Sequence, residues 1–438
     1  MSTRPDISVG RVVHLALPAM IVLAAEPLYL VVDTALIGHL GATQLAALAI
    51  GGIVLAQVSG QFNFLAYGTT GRAARHYGRN DRAAAVREGV NASWLAVAIG
   101  LLAILAVQIL AGPIARLIGG DNPVAVADAE SWMRLAILGA PGILLALAGN
   151  GWMRGVQETR KPTTYVVAAF GISLVLLPIF VYVLGWGLMG SAVANVVAQL
   201  IGGGLFIRAL LKEAHGPVRR TPHWPVMRAQ LRTGRDLLIR TLALQGSFAA
   251  AAGVAARMST ETLGAHQIGL QLWMLCALVL DSVAIAAQSL VGEALGAGNK
   301  DHARRVALII GRLGVATGVL LAIILLAIGP FAPHIFTSDP GVLTETAIMW
   351  WWLVGMQPLA GYVFAVDGIL MGSGDVAILR TITIIASVFV YIPLAICALK
   401  FHWGIGGIWL GLTSFIVARL VVGWWRVRGD KWMIADAH

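Results

Sequence analysis

Residues 162–207 read PTTYVVAAFGISLVLLPIFVYVLGWGLMGSAVANVVAQLIGGGLFI, 46 residues without one Asp, Glu, Lys or Arg. A helix needs about 20 apolar residues to cross the hydrocarbon core of a bilayer, so this stretch is long enough for two crossings. The sequence Gly185-Trp186-Gly187 supplies a turn between them. The stretch therefore predicts a pair of membrane-spanning helices rather than the core of a soluble domain.

The same composition extends over all 438 residues, of which 58% are hydrophobic and 12% are charged, with a mean hydropathy of +0.81. These values lie outside the range of soluble globular proteins. No small-residue cleavage site follows a short apolar core near the N-terminus, so we expect the first span to remain as a helix. Apolar runs bounded by loop signals predict twelve spans: 12–38, 44–70, 88–114, 126–150, 162–184, 188–210, 228–256, 262–292, 303–330, 343–370, 376–399 and 404–425.

Basic residues are distributed unevenly between the two sets of loops. When basic residues at the ends of the spans are counted with the adjacent loops, the tails and the even-numbered loops carry 25 of the 31 Lys and Arg residues and the odd-numbered loops carry 3. The remaining 3, Arg134, Arg240 and Arg419, lie inside spans. This asymmetry predicts that both termini and the basic loops face the cytoplasm, in the inner (plasma) membrane of a prokaryote. It also accounts for the formal net charge of +10 without a nucleic-acid partner.

The chain repeats itself at an offset of about 217 residues. Four pairs of segments coincide: Gly41-x3-Leu45 with Ser259-x3-Leu263, Asn122-Pro123 with Asp339-Pro340, Gly151-x3-Gly155 with Gly368-x3-Gly372, and Trp186-Gly187 with Trp403-Gly404. The sequence therefore predicts an all-α polytopic membrane protein with twelve transmembrane helices in two six-helix parallel repeats. We expect an N-terminal lobe at 1–211, a cytoplasmic linker at 212–227 and a C-terminal lobe at 228–438.

Ionisable residues inside the spans are few, and each is costly in hydrocarbon unless it faces protein or water. Glu26, Tyr29 and Asp33 share one face of the first span because they are spaced by three and seven residues. Pro27 interrupts the backbone hydrogen bonds within this stripe and is the predicted hinge. Apart from Arg208 at the end of the sixth predicted span, no basic residue except Arg134 lies in a span of the first half. Asp33, followed by Glu26, is therefore the predicted group for proton or cation coupling.

Polar residues in the other spans of the first half are candidates for lining a solute cavity. They are Gln57, Gln61, Asn150, Ser173, Asn195 and Gln199. In the second half we expect a polar network of Arg240, Gln245, Asp281 and Asp367. An arginine within a span needs a counter-charge, and either acid of this network would supply it. The plainer interpretation of any single amide is a hydrogen bond between helices.

No spacing of Cys, His or acidic residues indicates a metal site, a disulfide or a haem. Cys276 and Cys397 lie in apolar runs, where a free buried thiol is the ordinary interpretation. His14, His266 and His402 are scattered, and no acid pair has metal-ligand spacing. We therefore expect no metal, no cofactor and no enzymatic activity, and the glycine-rich segment near Lys300 lacks the spacing of a phosphate loop.

Several segments resemble the DinF branch of the MATE (multidrug and toxic compound extrusion) exporters. They are Glu26-Pro27-Leu28-Tyr29-Leu30-Val31-Val32-Asp33-Thr34-Ala35 with Gly38-His39-Leu40-Gly41, Arg154-Gly155-Val156-Gln157-Glu158-Thr159-Arg160-Lys161-Pro162, Ala265-His266-Gln267, Asp281-Ser282-Val283-Ala284-Ile285-Ala286-Ala287-Gln288, and Asp367-Gly368-Ile369-Leu370-Met371-Gly372. The resemblance covers about residues 10–428.

This resemblance implies two six-helix lobes that form a V, and a secondary-active antiporter that works by alternating access. The implied cargo is a small, amphipathic, often cationic molecule, exchanged for protons or for sodium. Asp33 occupies the position of the family's first-helix acid, which is tied to coupling. We expect a monomer in contact with membrane lipids.

One departure from the family pattern bears on the coupling ion. Ser173 and Leu177 stand where many relatives carry an Asn and, four residues later, an Asp. Gln245 is the polar residue nearest to the seventh-span Glu of the sodium-coupled NorM branch. These differences favour protons over sodium. Sodium-coupled antiport and a flippase for a lipid-linked precursor are the alternatives, and the flippase would need several basic residues in its cavity.

Overall fold

A computed structural model describes residues 8–120, 122–214, 218 and 220–433. The predictions for the two extreme termini, 1–7 and 434–438, and for linker residues 215–217 and 219 lie outside the described residues. Within the described ranges the chain is predominantly helical, and these ranges contain no β-strand.

Twelve helices in the described part of the chain are long and apolar enough to cross a membrane, which confirms the twelve-span prediction. They are Val9–Gly38, Ala42–Gly78, Arg82–Gly119, Pro123–Gly155, Arg160–Val183, Gly187–Glu213, Trp224–Met258, Thr260–Gly296, Lys300–Ile328, Pro340–Ser373, Val376–Lys400 and Gly404–Arg428. We number these the first to the twelfth span. Most of them extend beyond the predicted apolar runs because their charged ends continue the same helix.

Four spans contain local irregularities. The second span turns at Phe62 and Asn63 between helices Ala42–Gln61 and Phe64–Gly78, and the fourth passes through a 3₁₀ segment at Ile137–Gly139. The fifth span ends in a π-helical segment at Ile179–Val183, and the eleventh contains one at Ala386–Tyr391. The first span, in contrast, is an unbroken helix that includes Pro27. A short helix at Ala332–Phe336 precedes the tenth span.

The chain folds into two compact units. One unit comprises Ile21–Gly234, and the other comprises Met1–Met20 together with Arg235–His438. The division falls inside the first and seventh spans, so the beginning of the first span belongs to the second unit. Arg11 shows the contact that holds it there, because its Nη2 donates a hydrogen bond of 2.7 Å to Oε2 of Glu293.

Helix caps and turns repeat between the two halves. Asn122 accepts a hydrogen bond of 3.1 Å from the backbone N–H of Ala125, and Asp339 accepts one of 3.0 Å from Val342. Each capping residue is followed by a proline at the first helical position, where the missing N–H is not needed. At the predicted Trp-Gly turns, two equivalent glycines have positive φ angles: Gly187 at 52° and Gly404 at 61°.

The two Gly-x3-Gly motifs pack against the backbone of equivalent helices. The groups in contact are Gly151 with the Ala66 carbonyl oxygen, Gly155 with that of Thr70, Gly368 with that of Ala284, and Gly372 with that of Gln288. Ala66 and Thr70 of the second span precede Ala284 and Gln288 of the eighth span by 218 residues in each case. Equivalent motifs therefore meet equivalent partners, as expected of a duplicated six-helix unit.

This packing predicts a specific cost for a methyl group at Gly368. A Cβ there would lie 2.2 Å from the Ala284 carbonyl oxygen and 2.7 Å from the Ala287 Cβ, so the eighth and tenth spans would have to separate. We expect Gly368→Ala to destabilise the purified protein by about 1–3 kcal/mol, because overpacking outweighs the ordinary helix-stabilising effect of Ala. Thermal unfolding, monitored by size-exclusion chromatography, measures this loss of stability.

Gly355→Ala is the matched control, because it lies in the same span and a Cβ there meets no atom within 4 Å. Its melting temperature should equal or slightly exceed that of the wild type. Equal melting temperatures for the two variants would contradict the close packing at Gly368.

Candidate functional site

Asp33 is buried inside the Ile21–Gly234 unit, with 2% of its surface exposed. Its Oδ2 accepts a hydrogen bond of 3.3 Å from the Ser191 hydroxyl, which in turn accepts one of 3.2 Å from Nε1 of Trp132. Its Oδ1 has no hydrogen-bond partner among the described residues. None of the Lys, Arg or His side chains in those residues forms an ion pair with it. Asp33 is thus a buried acid that a single hydroxyl orients.

Tyr29 lies one turn before Asp33 on the same helix face and is equally buried. Its ring centroid lies 5.5 Å from that of Phe170 on the fifth span. Its hydroxyl faces Ser173 and Asn195 without a hydrogen bond of normal length and angle. Glu26, one turn earlier still, is exposed and faces Ser59 of the second span. The predicted polar stripe is therefore present, and only its Glu26 end is open.

A cavity of about 190 Å³ lies against this stripe, within the Ile21–Gly234 unit. Its polar lining consists of Glu26, Tyr29, Asp33, Thr34, Asn195 and Gln199. Trp132 and Phe170 contribute aromatic surface, and the remaining lining is aliphatic. The volume is below the roughly 300–1,000 Å³ of pockets that enclose a drug-sized ligand. A larger solute would therefore require the lining helices to move apart.

The structure brings some of the predicted cavity residues together and leaves others apart. Asn195 and Gln199 line the cavity with the acids of the first span, and Ser173 lies behind Tyr29. Gln57 and Gln61 are outside the lining, and the Gln61 amide donates a hydrogen bond of 3.0 Å to Gln57. The remaining candidate, Asn150, is also outside the lining and is buried, with an Oδ1 that lacks a hydrogen-bond partner in the described part of the chain.

Sequence reasoning missed Ser191, Trp132 and Phe170. Ser191 had a detectable signal, because it precedes Asn195 by four residues and Gln199 by eight, and thus shares their helix face. The two aromatic residues had none, since a tryptophan or phenylalanine in a span ordinarily packs against other helices or lipid. Only the packing of the fourth and sixth spans shows that the Trp132 indole reaches Ser191.

A different arrangement surrounds the buried acid of the second unit. Arg240 and Arg419 each donate a hydrogen bond of 2.5 Å from Nη2 to Oδ2 of Asp367. The side-chain exposures of the three residues are 13%, 4% and 5% for Arg240, Arg419 and Asp367. Asp367 is thus the counter-charge of Arg240. The sequence had left the choice between Asp281 and Asp367 open. The other acid, Asp281, is half-buried, and Gln245 of the same predicted network is exposed.

This arrangement predicts that Asp367 is needed for folding. Asp367→Asn would leave two buried guanidinium groups without their shared carboxylate, a defect that costs about 3–5 kcal/mol in comparable buried pairs. We expect a large loss of membrane-inserted, monodisperse protein and a lower melting temperature. Adding Arg240→Gln should restore part of the loss, because one stranded charge is then removed.

Asp301→Asn is the control for this variant, since Asp301 is an exposed acid in the first turn of the ninth span. It should change the melting temperature only slightly. If Asp367→Asn had the same yield and melting temperature as the wild type, the ion pairs would contribute little to the stability of the fold.

Comparison with known proteins identifies the family. The sequence profile of the MatE family matches residues 18–179 and 237–397. Protein DETOXIFICATION 44, a chloroplastic protein of Arabidopsis thaliana, is 32% identical over 97% of this chain and 84% of its own length. DNA damage-inducible protein F of Escherichia coli is 28% identical over 93% of this chain and 89% of its own.

A solved structure, the outward-facing conformation of a multidrug resistance MATE family transporter of the MOP superfamily, has the same fold. It superposes with a TM-score of 0.86 at 21% identity, and 96% of each chain is covered. Twelve apolar helices in a duplicated arrangement and a buried acid beside an internal cavity define a polytopic membrane transporter. The chain belongs to the MatE family of multidrug efflux transporters. The predicted family is thereby confirmed, and a DinF protein is among its relatives.

Proposed function

We propose that this protein exports small amphipathic cations in exchange for protons, and that Asp33 is the group for which the two compete. The observation that carries this proposal is the environment of Asp33, a buried carboxylate beside an aromatic-lined cavity with no ion-pair partner among the described residues. Members of the family move small organic or cationic compounds, which is the cargo that such a site suits.

Competition follows from the cost of an isolated buried charge. An ionised carboxylate in a low-dielectric interior is unfavourable unless a proton neutralises it or a cation approaches it. A proton and a cation each remove the cost of the buried charge, so binding of one weakens the binding of the other. The Ser191 hydroxyl fixes Oδ2 and leaves Oδ1 for the proton or the cation. By linkage, bound solute then lowers the affinity for the proton as much as the proton lowers the affinity for the solute.

Export follows if this competition is combined with alternating access. In the outward-facing state, a proton from outside neutralises Asp33 and the cation leaves. In the inward-facing state the proton dissociates, and the ionised carboxylate binds the next cation. Tyr29, Phe170 and Trp132 provide aromatic surface for an apolar or cationic solute at this site.

Two features of the chain favour this function over its alternatives. No group of three or more His, Cys, Asp or Glu residues that could hold a metal ion occurs in the described ranges, which weighs against a multi-carboxylate sodium site. Arg134, Arg240 and Arg419 all contact carboxylates: Arg134 contacts Glu130 at 2.7 Å, and Arg240 and Arg419 contact Asp367. None of them is thus offered to the pyrophosphate of a lipid-linked precursor, as a flippase would require.

We also propose that both termini face the cytoplasm of a prokaryotic cell, on the basis of the 25 basic residues in the tails, the even-numbered loops and the span ends beside those loops. A reporter enzyme that is active only outside the cytoplasm, fused after His438, should be silent. The same reporter placed in the loop between the first and second spans, at Leu40, should be active. Activity of the C-terminal fusion would contradict this orientation, and activity of both fusions would contradict the even number of spans.

The function proposal predicts the behaviour of Asp33→Asn, which resembles the protonated carboxyl group permanently. We expect this variant to insert and fold normally but to lose proton-driven efflux. In the purified wild type, cation affinity should rise by up to about tenfold per pH unit while protons compete for the site, between about pH 6 and 8. In Asp33→Asn the affinity should be independent of pH.

Glu26→Gln is the matched control, because it makes the same chemical change on the same helix face and in the same cavity. It should retain both efflux and the pH dependence of cation binding. If Asp33→Asn kept pH-dependent export while Glu26→Gln lost it, Glu26 would be the coupling group and the proposal for Asp33 would be wrong.

A further inference from the structure

A second and larger cavity lies far along the chain from Asp33, entirely within the unit that contains Arg235–His438. It is a groove of about 820 Å³ lined by the ninth and twelfth spans and by Tyr362 of the tenth span. The chain segment that follows the twelfth span, from Gly429 to Trp432, forms one wall. Nothing in the proposed exchange of protons and cations uses this groove.

The wall of this groove is an ordered part of the fold. The Trp432 side chain is fully buried, and its indole N–H donates a hydrogen bond of 2.9 Å to the Val427 carbonyl oxygen. Arg426 donates a hydrogen bond of 3.2 Å to the Lys431 carbonyl oxygen and one of 2.7 Å to Asp375. These contacts fold residues 429–433 back against the end of the twelfth span and close the groove on that side.

The charged lining of the groove is predominantly basic. Among the described residues that line it, the charged ones are Arg304, Arg312, Arg428 and Asp430, which gives three positive charges against one negative charge. Arg304 is ion-paired with Asp430. Arg312 and Arg428 are exposed and form no ion pair with any described residue, and the Arg428 guanidinium lies 5.0 Å from the centre of the Trp424 ring. Two cationic side chains are therefore offered to a ligand.

The position of Arg312 along its span points to a ligand class. Arg312 lies twelve residues after Lys300, the first residue of the ninth span, or about 18 Å along the helix axis. Leu308 and Val315, which share its helix face and line the same groove, are 59% and 36% exposed, as expected of side chains that face lipid. An arginine on a lipid-facing surface is costly unless it reaches an anion or the interface. The nearest abundant anions there are phospholipid headgroups.

We propose that this groove binds one anionic phospholipid. Its headgroup phosphate contacts Arg312 and Arg428, and an acyl chain follows Leu308 and Val315. Guanidinium groups bind phosphate oxygens through paired, charge-assisted hydrogen bonds. Trp424 is 43% exposed beside these arginines, in keeping with the preference of tryptophan for the headgroup region. The lipid lies on the side of the membrane where the basic loops are found.

The test uses native mass spectrometry of the full chain in detergent, titrated with phosphatidylglycerol or with phosphatidylcholine of the same acyl chains. We expect the first phosphatidylglycerol to bind about tenfold more tightly than phosphatidylcholine. The double variant Arg312→Gln/Arg428→Gln should lose this preference. Arg305→Gln is the matched control, since Arg305 is an exposed arginine of the same helix that does not line the groove, and it should keep the preference.

Four results would overturn the proposal. The first is equal binding of the two lipids by the wild-type protein. This result needs no variant, so it is conclusive even if the double variant fails to fold. Loss of the preference in Arg305→Gln would show a general charge effect. Competition by inorganic phosphate at the same concentration as the lipid would indicate an ion site. Binding that occurs only after deletion of residues 434–438 would show that the chain's own tail fills the groove.

Discussion

An ionised side chain within the hydrocarbon region costs several kcal/mol unless it meets an opposite charge or water, and this cost limits where a membrane protein can keep a charge. The protein meets the constraint differently in its two units. Asp367 is surrounded by the guanidinium groups of Arg240 and Arg419, so its charge is compensated permanently. Asp33 has one hydroxyl partner and lies beside a cavity. In the proposed function a proton or a cationic solute compensates its charge. The ion pairs of Asp367 suit a structural role, whereas the environment of Asp33 suits the exchange of bound ligands.

The duplication explains why the two units share a frame but differ in chemistry. Helix caps, Trp-Gly turns and Gly-x3-Gly contacts recur at the repeat offset because they determine how the helices begin, end and approach one another. The two buried acids Asp33 and Asp367 do not recur. Adding 217 to Asp33 leads to Ala250, whereas subtracting 217 from Asp367 leads to Asn150. These two acids therefore lie on non-equivalent spans, and of the two only Asp33 lines a cavity and lacks an ion-pair partner among the described residues.

Sequence reasoning predicted the features that depend on local pattern. Apolar runs and loop charges gave the twelve spans, and spacing gave the Glu26, Tyr29 and Asp33 stripe, because a helix fixes which residues share a face. Contacts between distant spans were harder to predict. The Trp132–Ser191 hydrogen bond and the second arginine on Asp367 depend on which helices pack together, and no local spacing encodes that. Likewise, Gln57 and Gln61 share a face as expected but bond to each other rather than line the cavity.

The central claim is that one carboxylate exchanges a proton for a cationic solute. It is tested most directly by counting the protons released when the solute binds, through calorimetry of the purified protein in buffers of different ionisation enthalpy. At a pH where Asp33 is protonated in the free protein, the account predicts release of about one proton per solute bound, and none from Asp33→Asn. Release that is absent in the wild type, or that persists unchanged in the variant, would contradict it.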